Sequence, residues 1–418
     1  MPLGFFQNQA PPIAIEFGTS SLKAIQMDFS KSQPQLLAAG MVETPEKLLL
    51  DDLGRLTFQA ENLGDLLKRC GFKGKRAVCS LPAKQTIVQH FQVASGDVDI
   101  QSQVNHQMQM QMGIDPKQAV IRAVDVGDVQ RGGQSKREVI CFAVARDVVF
   151  KQIEAIRQCK LEPVGIHSSQ IAIVRAFDRI TRRQGDEMMT SLYLDIGAGT
   201  TKIVIAHGQS MAFAKTIDVA GRTFDELIGK QLECGLIEAR KQRLSLAELT
   251  PAPATPAERV MENVAGATSA NGRVVKGDDG SSIDVGSLGT MMDRRTGNPT
   301  PNLTPDLSTE APVNLQAGGL DLTEPLEWLT DEISMCVRYH QMQFPGRSID
   351  RAIFVGGESR HIGMCQHIAK LLRTSSQIAD PLAHARMPKT DHLVDVDFSF
   401  AQPGWVVPYG LCCCPIEE

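Results

Sequence analysis

No run of about eighteen consecutive apolar residues occurs in the sequence, so it encodes no membrane-spanning helix. Residues 1–10 lack a basic start and an apolar segment, which argues against a secretory signal. The ten cysteines form no Cys-x-x-Cys pair and no regular framework, and with the missing signal this favours reduced thiols in a cytoplasm. Excess charge of one sign is also missing: 43 Lys and Arg face 48 Asp and Glu, a net −5, which points to neither nucleic acid nor an anionic membrane as a partner. Aromatic residues are few, and none occurs from Asp225 to Glu327. Residues 251–319 are instead rich in Pro, Thr, Ala, Gly, Ser, Asn and Asp. Such a stretch cannot bury enough apolar surface to offset its ordering entropy, so a disordered insertion is expected over about 250–320, with a brief ordered piece near Val260 to Val264. The remainder is ample: 418 residues with 42% apolar side chains suit two or three domains.

Two stretches share one grammar. In residues 192–205 an apolar run reaches Asp195-Ile196-Gly197-Ala198-Gly199-Thr200-Thr201 and resumes as a second apolar run. This predicts a hairpin whose tip faces a charged ligand. Glycine lets the backbone approach a phosphate, the following amides and hydroxyls donate to it, and Asp195 is placed to hold a magnesium ion through its waters. A plain hairpin turn is the competing reading, although it does not require two hydroxyl residues. Residues 13–27 repeat the pattern as Glu16-Phe17-Gly18-Thr19-Ser20-Ser21, with Lys23 near the tip or else a solvated strand lysine. Two such hairpins, about 180 residues apart, predict a duplicated architecture gripping one phosphate chain from both sides.

Along the rest of the chain, residues 63–72 predict a short helix ended by Gly71, and 77–82 a strand closed by Pro82 with 85–93 as its neighbour. Ile100, Val104, Met108 and Met112 recur as one helix face stopped by Gly113. Met108, Met110 and Met112 alternate with glutamines; a copper(I) thioether site is one reading, pliable core or interface methionine the other. Strands follow at 119–126 and 138–145, then a helix from Asp147, its candidate N-cap, to Cys159, a strand at 161–166 and a helix at 171–182. The span of about 90–165 has the element order of a small α+β subdomain. Helices are expected at 223–234, 236–249, 326–343 and 364–372. A third strand-to-glycine turn, Val355-Gly356-Gly357-Glu358-Ser359, suits a flat ligand against bare backbone, although strand-to-helix turns often carry glycine.

The three segments in this order resemble the phosphate-1, phosphate-2 and adenosine motifs of the actin-like ATPase superfamily. Within it the chain most resembles the PilM family of type IV pilus assembly proteins and next the FtsA cell-division family. Residues 161–166 with the Arg175-Ala176-Phe177 helix, the stretch 339–346 and the tail Val407-Pro408-Tyr409-Gly410-Leu411 also resemble that family. The resemblance implies an α/β, two-lobed actin-like ATPase (ribonuclease-H-like) fold. Its first lobe would span 13–185 after a lead of 1–12, with the inserted subdomain of about 90–165. The second would span 186–410, interrupted at about 250–320, before a tail of 411–418. It implies ATP and Mg2+, with Glu16, Gly18, Thr19, Ser20, Ser21, Lys23, Asp195, Gly197, Gly199, Thr200, Thr201, Gly221, Glu238, Gly356, Gly357 and Ser359 around the nucleotide and Asp195 and Glu16 toward the metal.

The departures from the family pattern bear on mechanism. Glu16 stands where phosphate 1 normally begins with Asp, Ser169 where an acid could orient water, Arg240 where an acid meets the ribose, and Glu358 where a small residue is usual. Gln170 remains to orient a water, and Glu238, one helix position off, is the substitute for the ribose acid. No catalytic residue is assigned, and nucleotide binding with weak or no hydrolysis is expected. The resemblance further implies a protein in the cytoplasm, peripheral to the inner membrane. It would bind the cytoplasmic tail of the bitopic protein PilN in a groove built from about 77–145, which Met108, Met110 and Met112 could line, the other reading being that they pack in the core. A pilus-assembly ATPase and further copies of the chain are secondary partners in this picture. Two alternatives remain at this stage: an FtsA-like filament, for which the short acidic tail with Cys412, Cys413 and Cys414 lacks a basic amphipathic helix, and a small-molecule kinase with His167 as base. The cysteine triplet reads as small buried residues, or as an acylation or metal site.

Overall fold

The computed structural model describes residues 9–94, 99–131, 134–180, 185, 188–245, 306–308, 321–396 and 401–416. Apart from 306–308, the expected insertion at 250–320 lies outside the described residues, as does the expected ordered piece at 260–264.

The acid-glycine stretches fold as hairpins, each opening a five-strand unit. In the first, β1 (Ile13–Phe17) pairs antiparallel with β2 (Ser21–Asp28), which pairs with β3 (Gln35–Glu43). On the other side of β1 run β4 (Arg76–Ser80) and β8 (Glu162–His167), both parallel to their neighbours. In the second, β9 (Thr190–Ile196), β10 (Thr201–His207) and β11 (Ser210–Ile217) are antiparallel, and β12 (Arg351–Val355) and β13 (Ser375–Ile378) add in parallel. The orders β3-β2-β1-β4-β8 and β11-β10-β9-β12-β13 are the same, the first extended by the two-residue strand β14 (Leu393–Val394) beyond β3. The molecule is therefore a duplicated α/β fold with two lobes. In both sheets the strand between hairpin and parallel pair is flanked on both sides, which explains why β9 is buried along its whole length.

A third sheet, β5-β7-β6, lies between β4 and β8 in sequence: β5 (Thr86–Ala94), β6 (Ala119–Arg131) and β7 (Gln134–Ala145), with α2 (Ile100–Met112) packed on it. Residues 86–94 therefore pair with β7 and not with β4, as alternation alone suggested. Pro82 and a 3-10 turn at Ala83–Gln85 lead the chain off the first sheet, and β8 takes the vacant edge of β4. Val104 and Met108 are buried in this small core, whereas Met110 and Met112 are 71% and 44% exposed, so the methionines divide between core and surface.

Several helix boundaries differ from expectation by two or three residues, and two differ for a reason that bears on capping. The helix α1 spans Asp52–Cys70, well before residue 63, because Asp51 caps it by accepting from the Gly54 amide at 2.9 Å. The helix α3 (Arg146–Gln158) starts directly after β7 with Ala145 as N-cap, because β7 stays paired through Ala145. Asp147 lies in its first turn and faces Lys151 at 3.4 Å. The remaining helices are α4 (Ser169–Ile180), α5 (Gly221–Leu232), α6 (Leu236–Ser245), α7 (Thr323–Gln343), α8 (Ile362–Leu372) and α9 (Val406–Leu411).

The lobes share a core. Ala14, Ile25 and Val78 of the first sheet and Tyr193, Val204 and Ile353 of the second join one cluster through Ala172, Phe177, Trp405 and Tyr409. Here α9 lies so close to α4 that a Cβ on Gly410 would overlap the Ala172 backbone. The third sheet is tied across by polar groups: His90 faces the buried Glu138 and the Ala214 carbonyl, each at 3.1 Å, and the Tyr339 hydroxyl donates to Glu138 at 3.2 Å. Residues 306–308 lie against β13, where the Leu307 amide donates to the Ser376 carbonyl at 2.7 Å and Asp306 accepts from the Ser376 amide at 2.9 Å.

Candidate functional site

The tips of the β1–β2 and β9–β10 hairpins meet. A Cβ on Gly199 would stand 2.6 Å from the Thr19 hydroxyl oxygen, and each turn closes on itself, Gly18 donating to the Ser21 carbonyl at 3.0 Å and Gly197 to the Thr200 carbonyl at 3.1 Å. Between them opens a cavity of about 100 Å3, walled also by residues 80–84, Gly356, Gly357 and Gly404. Gly356 has φ +91° and a Cβ there would collide with the Ile196 carbonyl and the Asp195 carboxylate, so glycine is required on two counts.

Of the residues that the sequence suggests for a nucleotide, Glu16, Gly18, Thr19, Ser20, Ser21, Lys23, Asp195, Gly197, Gly199, Thr200, Gly356 and Gly357 line this cavity together. Four others lie elsewhere. The Thr201 hydroxyl donates to the Val219 carbonyl at 2.7 Å, and Ser359 is buried with its hydroxyl donating to the Val355 carbonyl. Glu238 accepts from Gln242 on the exposed side of α6, and Gly221 begins α5 with its bare backbone against the Glu358 carboxyl.

The two hairpins carry the same cross-strand pair. Glu16 stands opposite Lys23 on β1–β2, and Asp195 opposite Lys202 on β9–β10. Lys202 Nζ donates to Asp195 Oδ2 at 2.8 Å, with both side chains under one-tenth exposed. Burial alone would lower this ammonium's pKa, but the charges of Asp195 and Glu16 outweigh it and hold the group above its ordinary value. Lys23 donates to the Gly404 carbonyl at 2.6 Å and stands 3.6 Å from Glu16 Oε2. Lys202 was not singled out from sequence. The signal was present, because it occupies in the second hairpin the register position that Lys23 holds in the first.

On the far side of Gly357, Glu358 is buried between two guanidiniums: Arg243 Nη2 donates to its Oε2 at 2.7 Å, and Arg240 Nη2 lies 3.1 Å from Oε1. Arg243 also donates to Asp225 Oδ1 at 2.7 Å. Burial would raise the Glu358 carboxyl, but Arg243 and Arg240 hold it down at about 2. Burial raises Asp225, only partly offset by Arg243. This cluster ties the turn after β12 to α6, so Arg240 and Glu358, two separate oddities in sequence, answer each other. Of the two residues that the sequence suggests for positioning a water, Ser169 lines the cavity, whereas the buried Gln170 amide donates to Thr216 at 2.9 Å. His167 ends β8 opposite Ser80 and does not line the cavity; its ring covers Gly165.

Comparison with known proteins agrees with this architecture. The chain is similar to a chain of the PilM-PilN type IV pilus biogenesis complex, at 16% identity over 97% of this chain and 98% of that one, with a TM-score of 0.66. It is more distantly similar to the ethanolamine utilization protein EutJ from Carboxydothermus hydrogenoformans, at 10% identity, 98% and 93% coverage and a TM-score of 0.46. For MreB5 of Spiroplasma citri bound to ADP the values are 14%, 96%, 94% and 0.44. No curated protein matches the chain by sequence. The family model described as "Type IV pilus assembly protein PilM" matches residues 14–249, more than half of the chain, and the protein accordingly belongs to the actin-like PilM family of type IV pilus assembly proteins.

Proposed function

We propose that the protein is a cytoplasmic scaffold of pilus assembly that holds a nucleotide by its phosphates and docks the cytoplasmic tail of a PilN-like bitopic inner-membrane protein, with little or no hydrolysis. The observation that carries the nucleotide half is the meeting of the two glycine-hydroxyl hairpins at one cavity. Amides and hydroxyls of Thr19, Ser20 and Thr200 supply donors from both sides. At about 100 Å3 the cavity is below the roughly 300 Å3 at which small-molecule pockets begin, so the nucleotide enters phosphate first and the lobes part to admit the rest.

Slow chemistry follows from how the acids are engaged. A hydrolase needs a group that positions and deprotonates water. Asp195 is committed to Lys202, Glu358 to two arginines, and the Gln170 amide to Thr216. Glu16 Oε2 is buried with no hydrogen bond among the described residues, but Lys23 neutralises it at 3.6 Å.

The partner half is supported by family membership and by the similar PilM-PilN complex. The surface of about 77–145 is the docking site in this reading, with exposed Met110 and Met112 adapting to the peptide. Calorimetry of the full chain with ATP, and separately with a synthetic PilN-type tail, tests both halves. Both ligands should bind, and Met110→Ser with Met112→Ser should weaken only the peptide. Absence of ATP binding removes the nucleotide half, and unchanged peptide affinity in the double variant removes the methionine surface.

A further inference from the structure

We infer that the ammonium of Lys202 takes the place of a divalent cation in this cleft, so that the phosphate ligand binds without magnesium. The inference rests on the phosphate-cleft reading above and concerns which positive charge meets the phosphates. Magnesium demands near-ideal octahedral geometry and sits on one or two carboxylates with its waters. The carboxylates lining the cavity are Glu16, Asp195 and Glu358, and the last is held by Arg240 and Arg243.

The other two do not fit the ion. Asp195 Oδ2 already accepts from Lys202 at 2.8 Å, and Glu16 adds to the field on the same ammonium. A metal on that carboxylate would meet a like charge a few ångströms away, with both side chains of the pair buried. Lys202 cannot easily withdraw. Its strand is hydrogen-bonded on both sides, to β9 and β11, and its side chain is 9% exposed, with Nζ 3.8 Å from the Cβ position of Gly197 beneath the hairpin tip. Lys23 neutralises Glu16 in the equivalent place, leaving two acids and two ammoniums and no residual negative charge for a divalent ion.

What the lysine offers a phosphate is equally concrete. An ammonium has three hydrogens, and Asp195 accounts for one. The others are donors toward the cavity that Lys202 lines. The aspartate then acts by fixing the lysine.

Calorimetry with ATP on the full wild-type chain, in magnesium and again in EDTA, tests this directly. Affinity in EDTA should match that in magnesium within about threefold, a difference below the tenfold that 1.4 kcal/mol produces. A loss of more than about threefold in EDTA overturns the inference while leaving the phosphate-cleft reading intact. No binding in either buffer overturns both. Lys202→Ala, checked for folding by circular dichroism, should expose Asp195 and make binding depend on magnesium by about tenfold. If the folded variant binds equally well in EDTA, the lysine is not the stand-in; if it fails to fold, the wild-type pair of titrations decides alone.

Discussion

Arg240 Nη2 lies 3.1 Å from Glu358 Oε1, joining the two residues that most disfigure the nucleoside side of the family pattern. With Arg243 on the other carboxylate oxygen, the turn after β12 is fastened to α6. Buried and partly exposed limbs of such a cluster differ in worth. Removing one member of a buried pair strands a charge and costs about 3–5 kcal/mol, whereas partly exposed ion pairs contribute about 1 kcal/mol or less. Glu358→Gln should therefore lower the denaturant midpoint strongly and Arg240→Ala weakly. Equal effects in chemical unfolding would show that the cluster is not organised around the buried carboxylate.

Acid should destabilise the fold in two windows. Burial keeps His207 and His340 at about 4, below the ordinary 6.5, and their Nε2 atoms stand 2.8 Å apart. Their folded-state pKa is depressed, so the unfolded chain takes up protons first, and stability present above 6.5 is lost as pH falls toward about 4. Glu358 acts later: its contribution is complete above its ordinary 4.5 and is lost as pH falls through about 2. Melting temperatures measured from pH 7 to 5 should fall in the wild type and fall less in His207→Gln. A flat wild-type profile over that range would contradict the buried neutral pair.

The methionines separate by experiment as they do by burial. Met108 is fully buried, so Met108→Ala should cost about 2–5 kcal/mol. Met110→Ser and Met112→Ser, on the exposed side, should stay within about 0.5 kcal/mol. Urea unfolding of the three single variants checks this.

Burial raises the thiols, Cys414 to about 12, Cys79 to about 12 and Cys336 to about 12, with Cys412 and Cys365 raised as well. Thiolate is the reactive form, so iodoacetamide near neutral pH should leave these five unlabelled until the chain is unfolded. Mass spectrometry of the labelled peptides reads the result, and fast labelling of Cys414 would contradict its burial.

The hairpins were legible because their information is local: acid, glycine and hydroxyls within a few residues, flanked by alternating strands. Their duplication even disclosed the two-lobed fold. Lys202 was equally local and is found by laying one hairpin on the other in register. The Arg243–Glu358 pair was not legible, since it joins side chains 115 positions apart and depends on how α6 docks. The placement of residues 86–94 in the third sheet failed for a related reason: alternation gives a strand's faces and says nothing about which neighbour it meets.

In the proposed function the nucleotide is held and not consumed. The full chain mixed with stoichiometric ATP, separated from free nucleotide and analysed for bound species and phosphate release, tests it most directly. ATP should be recovered intact from the protein, with far less than one phosphate released per chain over several minutes. Turnover on the order of 1 per second, the low end of ordinary enzymes, or protein recovered without nucleotide, would contradict it.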